Sequence, residues 1–148
     1  MTNALNPRLL RGPANLNFAR LLMVSIGVTI CLLFSYAANA ELKVQDVSAA
    51  EAAELLKNNP EIRVLDVRTG FEYNRGHLKD AVNINYYSWS FEEKLSELDK
   101  NVTWLLHCRT GVRSSKTLPL MKAAGFTSVI HLTDGIVDWF DAGLPVVK

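Results

Sequence analysis

The chain has 148 residues, 49% hydrophobic and 21% charged, with 8 glycines and 5 prolines, a composition that excludes collagen-like, low-complexity and disordered chains. Residues 1–40 contain three arginines and no acidic side chain, so the rest of the chain has a net charge of −2, which argues against nucleic acid as a partner. Two cysteines are too few for a disulfide-rich scaffold or a multi-cysteine metal site.

The first forty residues have the pattern of a secretory signal. The arginines precede an apolar run at 21–38, and the triplet Ala38-Asn39-Ala40 follows it. A basic start, an apolar middle and an A-x-A end predict a signal peptide over 1–40 that is cleaved after Ala40. The alternative is an uncleaved anchor, because a run of this length can span a bilayer; the membrane is expected as a partner only in that case.

Cleavage leaves one cysteine in the mature chain, because Cys31 is removed with the leader. Residues 41–148 then contain Cys108 alone, which has no internal disulfide partner. Such a thiol is either a buried inert residue or a reactive group, and its neighbours must decide between the two.

In the first half of the mature chain, the sequence pattern predicts an edge strand, a helix and two buried strands. An edge strand is expected to begin at Leu42, and Ser48 with Glu51 forms a capping box at the start of a helix. The short apolar runs RVLDV at 63–67 and AVNIN at 81–85 predict buried strands.

The second half continues the alternation. Ser90 and Glu93 predict a second capping box at the start of a helix. Pro119 predicts a kink or a late start in the helix that Gly125 ends. The remaining predicted elements are strands at 102–107 and 129–132 and helices at 114–124 and 136–142.

Helices that alternate with continuously apolar strands indicate an α/β sandwich around a mainly parallel five-stranded sheet. In such sheets ligands bind beyond the carboxyl ends of the strands. Cys108 lies at one of these ends, where a strand runs into the loop Cys108-Arg109-Thr110-Gly111-Val112-Arg113 and a helix. A thiolate at Cys108 is favoured by the N–H groups of this loop, by the helix N-terminus and by the charges of Arg109 and Arg113. Gly111 can adopt the positive φ that such a tight loop requires.

The length of this loop distinguishes two chemistries. Four residues separate Cys108 from Arg113, whereas cysteine phosphatases have five, and the position that would hold their arginine is Ser114. A shorter loop makes a smaller cradle, which favours one extra sulfur on the cysteine over a phosphate. A phosphatase or an arsenate-reducing relative remains the alternative.

Three blocks resemble the single-domain rhodaneses, a family of sulfurtransferases. The blocks are 65–68 with 72–73, 76–78 and 81–84; the loop 108–114; and 132–139 with 142–146. One departure is visible, because the family usually has two glycines where this chain has Asp134-Gly135.

The resemblance implies a three-layer rhodanese-like domain over 41–148 and, with the leader, a periplasmic thiosulfate sulfurtransferase. Cys108 would carry a persulfide from thiosulfate or a similar donor to cyanide or a thiol, without a cofactor or metal. The loop residues that would bind the donor are Arg109, Thr110, Gly111, Val112, Arg113 and Ser114. A third hypothesis is a persulfide-carrying binding module without fast turnover.

Several side chains near the site have structural interpretations. Asp66 and Arg68 are expected to form a structural ion pair, and Asp66 is also the candidate carboxylate for Arg113 if that arginine turns inward. The histidines are expected to brace a turn (His77), to face away from the thiol (His107) and to occupy the core or its rim (His131). Three aromatic residues, Trp104, Trp139 and Phe140, are predicted in the core.

Overall fold

The computed structural model describes residues 41–148, and within them a five-stranded sheet. The strands are β1 (Lys43–Val47), β2 (Arg63–Asp66), β3 (Val82–Asn83), β4 (Thr103–His107) and β5 (Ser128–Leu132). Every pair of neighbouring strands is parallel, in the order β1-β5-β4-β2-β3. The predicted α/β fold with a parallel five-stranded sheet is therefore confirmed.

Helices cover both faces of this sheet. They are α1 (Ala49–Asn58), α2 (Gly70–Tyr73), α3 (Phe91–Ser96), α4 (Val112–Ala123) and α5 (Gly135–Asp141). One face buries side chains of α1 and α5, including Ala52 and Trp139, whereas the other buries Phe91 of α3 and Met121 of α4. Successive residues of a strand alternate between these two cores, which is why the central strands are apolar throughout.

Local sequence determines where several helices begin and end. The capping box of Ser48 and Glu51 is present at the start of α1. The α4 helix ends as predicted, because Gly125 has φ +87° and the N–H of Phe126 bonds to the carbonyl of Met121 at 3.1 Å.

Three local predictions are wrong in detail. Ser90 precedes α3, but its side chain makes no capping hydrogen bond, so the second capping box is absent. The α4 helix begins at Val112 and contains Pro119, so the proline does not delay its start. The third strand is only two residues long, because β3 pairs with β2 through Val82 and Asn83 alone.

The predictions for the leader, including Cys31 and cleavage after Ala40, lie outside the described residues. Among residues 41–148, no helix is both long and apolar enough to cross a membrane.

Candidate active site

The loop that joins β4 to α4 surrounds the sulfur of Cys108. The Cys108 side chain is buried and borders the core beneath α3 and α4. The Ser114 hydroxyl nevertheless lies 3.5 Å from the sulfur, and the backbone N–H groups of Thr110, Arg113 and Ser114 favour its charged form. Gly111 makes this turn possible, since it takes φ +84° immediately before the helix.

Two opposing effects act on the pKa of the Cys108 thiol. Burial raises it, because a charged sulfur is poorly solvated there. Hydrogen bonds from the Ser114 side chain and from the amides of Ser114, Thr110 and Arg113 lower it, and together they outweigh burial. The pKa of Cys108 is therefore below its usual range, which favours a nucleophilic thiolate.

Arg113 faces inward, but its partner is not the predicted one. Its guanidinium donates two hydrogen bonds of 2.8 Å to the carboxylate of Glu72 in α2, and it lies 5.6 Å above the ring of Tyr87. The prediction of Asp66 as its partner is wrong, because Asp66 is already held by another arginine. The Arg113 bonds lower the pKa of Glu72 from its ordinary value of 4.5 to about 2.

Asp66 is fully buried and pairs with Arg68. The Arg68 Nε and Nη2 donate to Asp66 Oδ2 at 2.8 and 2.6 Å, and Nη2 also reaches the carbonyl of Gly76 at 2.8 Å. This pair ties β2 to the segment after α2 and is separate from the sulfur loop. His107 lies beside it, with Nε2 3.7 Å from Asp66 Oδ2, so its ring points away from the Cys108 sulfur.

Arg109 is the loop arginine that remains exposed, and it makes no ion pair with any of residues 41–148. It borders a cavity of about 450 Å³ that Phe71, Arg75 and Phe140 also line. Arg68 and Glu72 also line it, so the cavity combines three cationic groups and one carboxylate with exposed aromatic rings.

The aromatic side chains predicted in the core have different outcomes. Phe140 is 45% exposed and lines this cavity, so its predicted core position is wrong, whereas Trp104 and Trp139 are buried as expected.

The start of α5 lies directly against the sulfur loop. The N–H groups of Ile136 and Val137 bond to the carbonyls of Cys108 and Arg109 at 2.9 and 3.1 Å. A Cβ on Gly135 would come within 2.5 Å of the Arg109 backbone, and Gly135 has φ +66°. Asp134 has φ −94°, so the position where the family usually has another glycine needs no special backbone conformation here.

His131 is a neighbour of the site that its position in the sequence did not reveal. Its Nε2 lies 3.0 Å from the Ser114 hydroxyl, and its Nδ1 lies 2.9 Å from Asp46 Oδ1. The three residues come from β5, α4 and β1, and nothing in their spacing indicates that they meet. His77 braces a turn as expected, stacked on Tyr73 with ring centroids 3.6 Å apart.

Comparison with protein families gives one match that spans most of the described chain. Residues 48–142 match the family described as the rhodanese-like domain. The probable adenylyltransferase/sulfurtransferase MoeZ of Mycobacterium tuberculosis is 33% identical over 97 residues, which are 66% of this chain and 25% of that protein. The chain thus spans about a quarter of the length of this relative.

A smaller relative and two solved structures agree with this match. A sulfurtransferase of Allochromatium vinosum is 26% identical over 104 residues, 70% of this chain and 95% of that protein. A rhodanese-related protein from Thermoplasma volcanium has 28% identity and a TM-score of 0.62, covering 70% of this chain and 97% of that one. The rhodanese-like domain of an Anabaena protein has 25% identity and a TM-score of 0.63, covering 70% and 78%.

Proposed function

The chain belongs to the rhodanese-like domain family, and on that premise we propose that it moves sulfane sulfur from thiosulfate, or a similar donor, to cyanide or a thiol. The observation that carries the proposal is the sulfur of Cys108, which the Ser114 hydroxyl contacts at 3.5 Å and whose negative charge the amides of Thr110, Arg113 and Ser114 favour. These donors would stabilise the negative charge of a thiolate. They would stabilise a persulfide anion equally well, and a sulfur carrier must hold that anion between its two reaction steps.

The proposed reaction has two steps. The Cys108 thiolate attacks the outer sulfur of thiosulfate, a new sulfur–sulfur bond forms, and the sulfur–sulfur bond of thiosulfate breaks so that sulfite leaves with its electron pair. Cyanide or a thiolate then attacks the outer sulfur of the persulfide, and the Cys108 thiolate is restored. Each step exchanges one bond for another, so no oxidant or reductant is needed.

The two loop arginines would take different parts in this reaction. Arg109 is exposed beside the cavity, and its charge is available to an anionic donor. Arg113 is committed to Glu72 by two hydrogen bonds, so it would fix the loop rather than hold the substrate. The exposed Thr110 and Val112 stand beside Arg109 on the outer side of the loop.

The mass of the protein tests the first step. We expect residues 41–148, incubated with thiosulfate and freed of excess donor, to gain about 32 Da on Cys108, the mass of one sulfur atom. Cyanide should remove the added mass, and the Cys108→Ser variant should never acquire it. A wild-type protein that stays at its original mass in excess thiosulfate would contradict the proposal.

The acceptor step distinguishes an enzyme from a carrier. Loading followed by repeated release to cyanide or a small thiol supports an enzyme, whereas loading with negligible turnover supports the binding-module alternative. Hydrolysis of an aryl phosphate that disappears in Cys108→Ser would instead favour the phosphatase alternative.

We also propose that the protein is exported and acts in the periplasm. The support is the charge and hydropathy pattern of residues 1–40 and the triplet Ala38-Asn39-Ala40. Mass spectrometry of the full chain, expressed in a bacterium and recovered from the periplasmic fraction, tests this. A protein that begins at Glu41 is the expected product, and one that keeps its leader in the membrane fraction favours the anchor.

A further inference from the structure

A line of four side chains connects the Cys108 sulfur with the surface. The Ser114 hydroxyl lies 3.5 Å from the sulfur and 3.0 Å from Nε2 of His131, and His131 Nδ1 lies 2.9 Å from Asp46 Oδ1. Ser114 and His131 are buried, whereas the Asp46 side chain is 68% exposed. The line therefore runs from a buried thiol to a carboxylate in contact with solvent.

The number of available hydrogens determines the direction of these bonds. A carboxylate accepts but does not donate, so Asp46 requires a proton on His131 Nδ1. In a neutral ring Nε2 is then an acceptor, and the hydroxyl of Ser114 must donate to it. In this thiol state the oxygen of Ser114 accepts the S–H of Cys108, and in the thiolate state the hydroxyl of Ser114 donates to the sulfur instead.

The hydroxyl of Ser114 also donates to the Gly111 carbonyl, which has other donors. The Ser114 hydroxyl lies 2.8 Å from the carbonyl of Gly111. That carbonyl also receives the N–H of Ser115 at 2.8 Å and the hydroxyl of Ser115 at 2.9 Å, which fill its two lone pairs. The Gly111 carbonyl keeps these two bonds from Ser115 when the hydroxyl of Ser114 rotates away from it toward His131 Nε2 or the sulfur.

We propose that His131 accepts the thiol proton of Cys108 through Ser114, while Asp46 holds and stabilises the resulting imidazolium. The proton on the sulfur passes to the Ser114 oxygen as the hydroxyl proton of Ser114 passes to His131 Nε2. No electrons are transferred, and the products are a thiolate and an imidazolium. His131 acts through Ser114, so it is a positioning residue for the proposed sulfur transfer, on which this inference rests.

The surroundings of His131 contain few competing charges. On its two neighbouring strands it stands opposite Asp46 of β1 and the apolar Leu106 of β4, and Ser114 is its contact from α4. His107 is closer to Cys108 in sequence, but its Nδ1 lies 3.2 Å from the Cys108 carbonyl and its Nε2 faces Asp66. Among the described histidines, His131 alone reaches the sulfur through a hydroxyl.

The rate of alkylation by iodoacetamide as a function of pH tests the relay without any sulfur donor. We expect wild-type Cys108 to react at about pH 6, and His131→Gln to react about tenfold more slowly there but at an equal rate above about pH 9. Asp46→Asn keeps an acceptor for Nδ1 but removes the charge, so a smaller loss at pH 6 is expected. Asp46 is exposed on an edge strand, so this variant remains informative if His131→Gln does not fold.

Glu54→Gln is the matched control, because it removes one exposed carboxylate that pairs with Lys57, away from the Cys108 loop. Its alkylation profile should equal that of the wild type. The relay would be overturned if the pH profile of the alkylation rate were unchanged in both His131→Gln and Asp46→Asn. It would also be overturned if the rate in these variants fell by the same factor at every pH, which would indicate a structural role for His131.

Nitrogen chemical shifts of His131 give a second, independent result. We expect the ring shifts to differ between the wild type and Cys108→Ser, which keeps a hydroxyl but has no thiol proton to give to His131. The same ring state in both proteins contradicts the proposal. Failure of thiosulfate loading with these shifts intact would count against the proposed sulfur transfer and not against the relay.

Discussion

At the scale of single residues, two arginines in one short loop have different environments. Arg113 is fixed by Glu72 and lies over Tyr87, whereas Arg109 is exposed at the edge of the cavity. A guanidinium that already makes two charged hydrogen bonds has few donors left for a substrate, but an unpaired one keeps all five. The difference arises from tertiary contacts, because the two side chains have the same chemistry.

Arg109→Ala is expected to raise KM for thiosulfate about tenfold, the loss of roughly one charged hydrogen bond, with kcat changed much less. KM for a neutral thiol acceptor should stay near the wild-type value. Steady-state kinetics with each substrate varied in turn measures both. Arg63→Ala is the control, because it removes the same charge at the opposite end of the sheet, where the guanidinium lies 5.4 Å from the ring of Trp104. Equal changes in the two variants would refute a specific role for Arg109.

At the scale of elements, the loop after β4 is held by the start of α5. Backbone bonds from Ile136 and Val137 reach two carbonyls of the loop, and Gly111 and Gly135 allow the two segments to touch. A Cβ on Gly111 would stand 1.7 Å from the Thr133 carbonyl oxygen, a distance that no rearrangement of side chains can relieve. The contact keeps the amides that surround the sulfur in place.

Gly135→Ala should therefore destabilise the protein more than Gly143→Ala. Both glycines have φ +66°, so both alanines carry the strain of a left-handed backbone, about 1–2 kcal/mol. Gly143 has no atom within 4 Å of its missing Cβ, whereas Gly135 would meet the Arg109 backbone at 2.5 Å. Urea unfolding gives the two free energies, and alkylation of Cys108 at pH 6 reports on the loop. Similar losses in both variants would show that the close approach contributes nothing.

At the scale of the whole molecule, two groups make stability depend on pH in the same direction. Arg113 lowers the pKa of Glu72 to about 2, so the stability from this carboxylate is complete above about pH 4.5 and is lost as pH falls toward 2. Burial lowers the pKa of His107, although Asp66 opposes the shift, so the unfolded chain takes up that proton first as pH falls below about 6.5. Acid should therefore destabilise the fold in two stages.

Glu72→Gln should lower the free energy of unfolding by about 1–2 kcal/mol at pH 7, once solvent screening of this partly exposed pair is allowed for. The difference from wild type should shrink at pH 3, because the pair stabilises the wild type less there. Urea titrations at the two pH values measure it. Glu92→Gln, at an exposed position of α3, is the control, and a constant difference across pH would contradict the Glu72 assignment.

The order of elements and the position of the candidate nucleophile, Cys108 at the end of β4, were predictable from sequence. Apolar runs such as that at 102–107 predict buried strands. The loop after this run contains Cys108 and Gly111 and leads into a helix, a pattern that predicts backbone amides around the sulfur. These features depend on hydrogen bonds between residues close in the chain. Neighbours in sequence therefore carry most of the information about the loop. The departure at Asp134 fits the fold, because that residue has φ −94° and needs no glycine.

The long-range partners were decided by tertiary structure alone. Arg113 pairs with Glu72, 41 positions away, rather than with Asp66, and His131 joins Ser114 to Asp46 across three elements. Such contacts follow from strand order and register, because β1 lies beside β5 and puts Asp46 opposite His131. The local sequence was enough to predict a loop that favours a thiolate at Cys108, because the groups involved are close in the chain. The packing of distant strands decided which other side chains surround that loop.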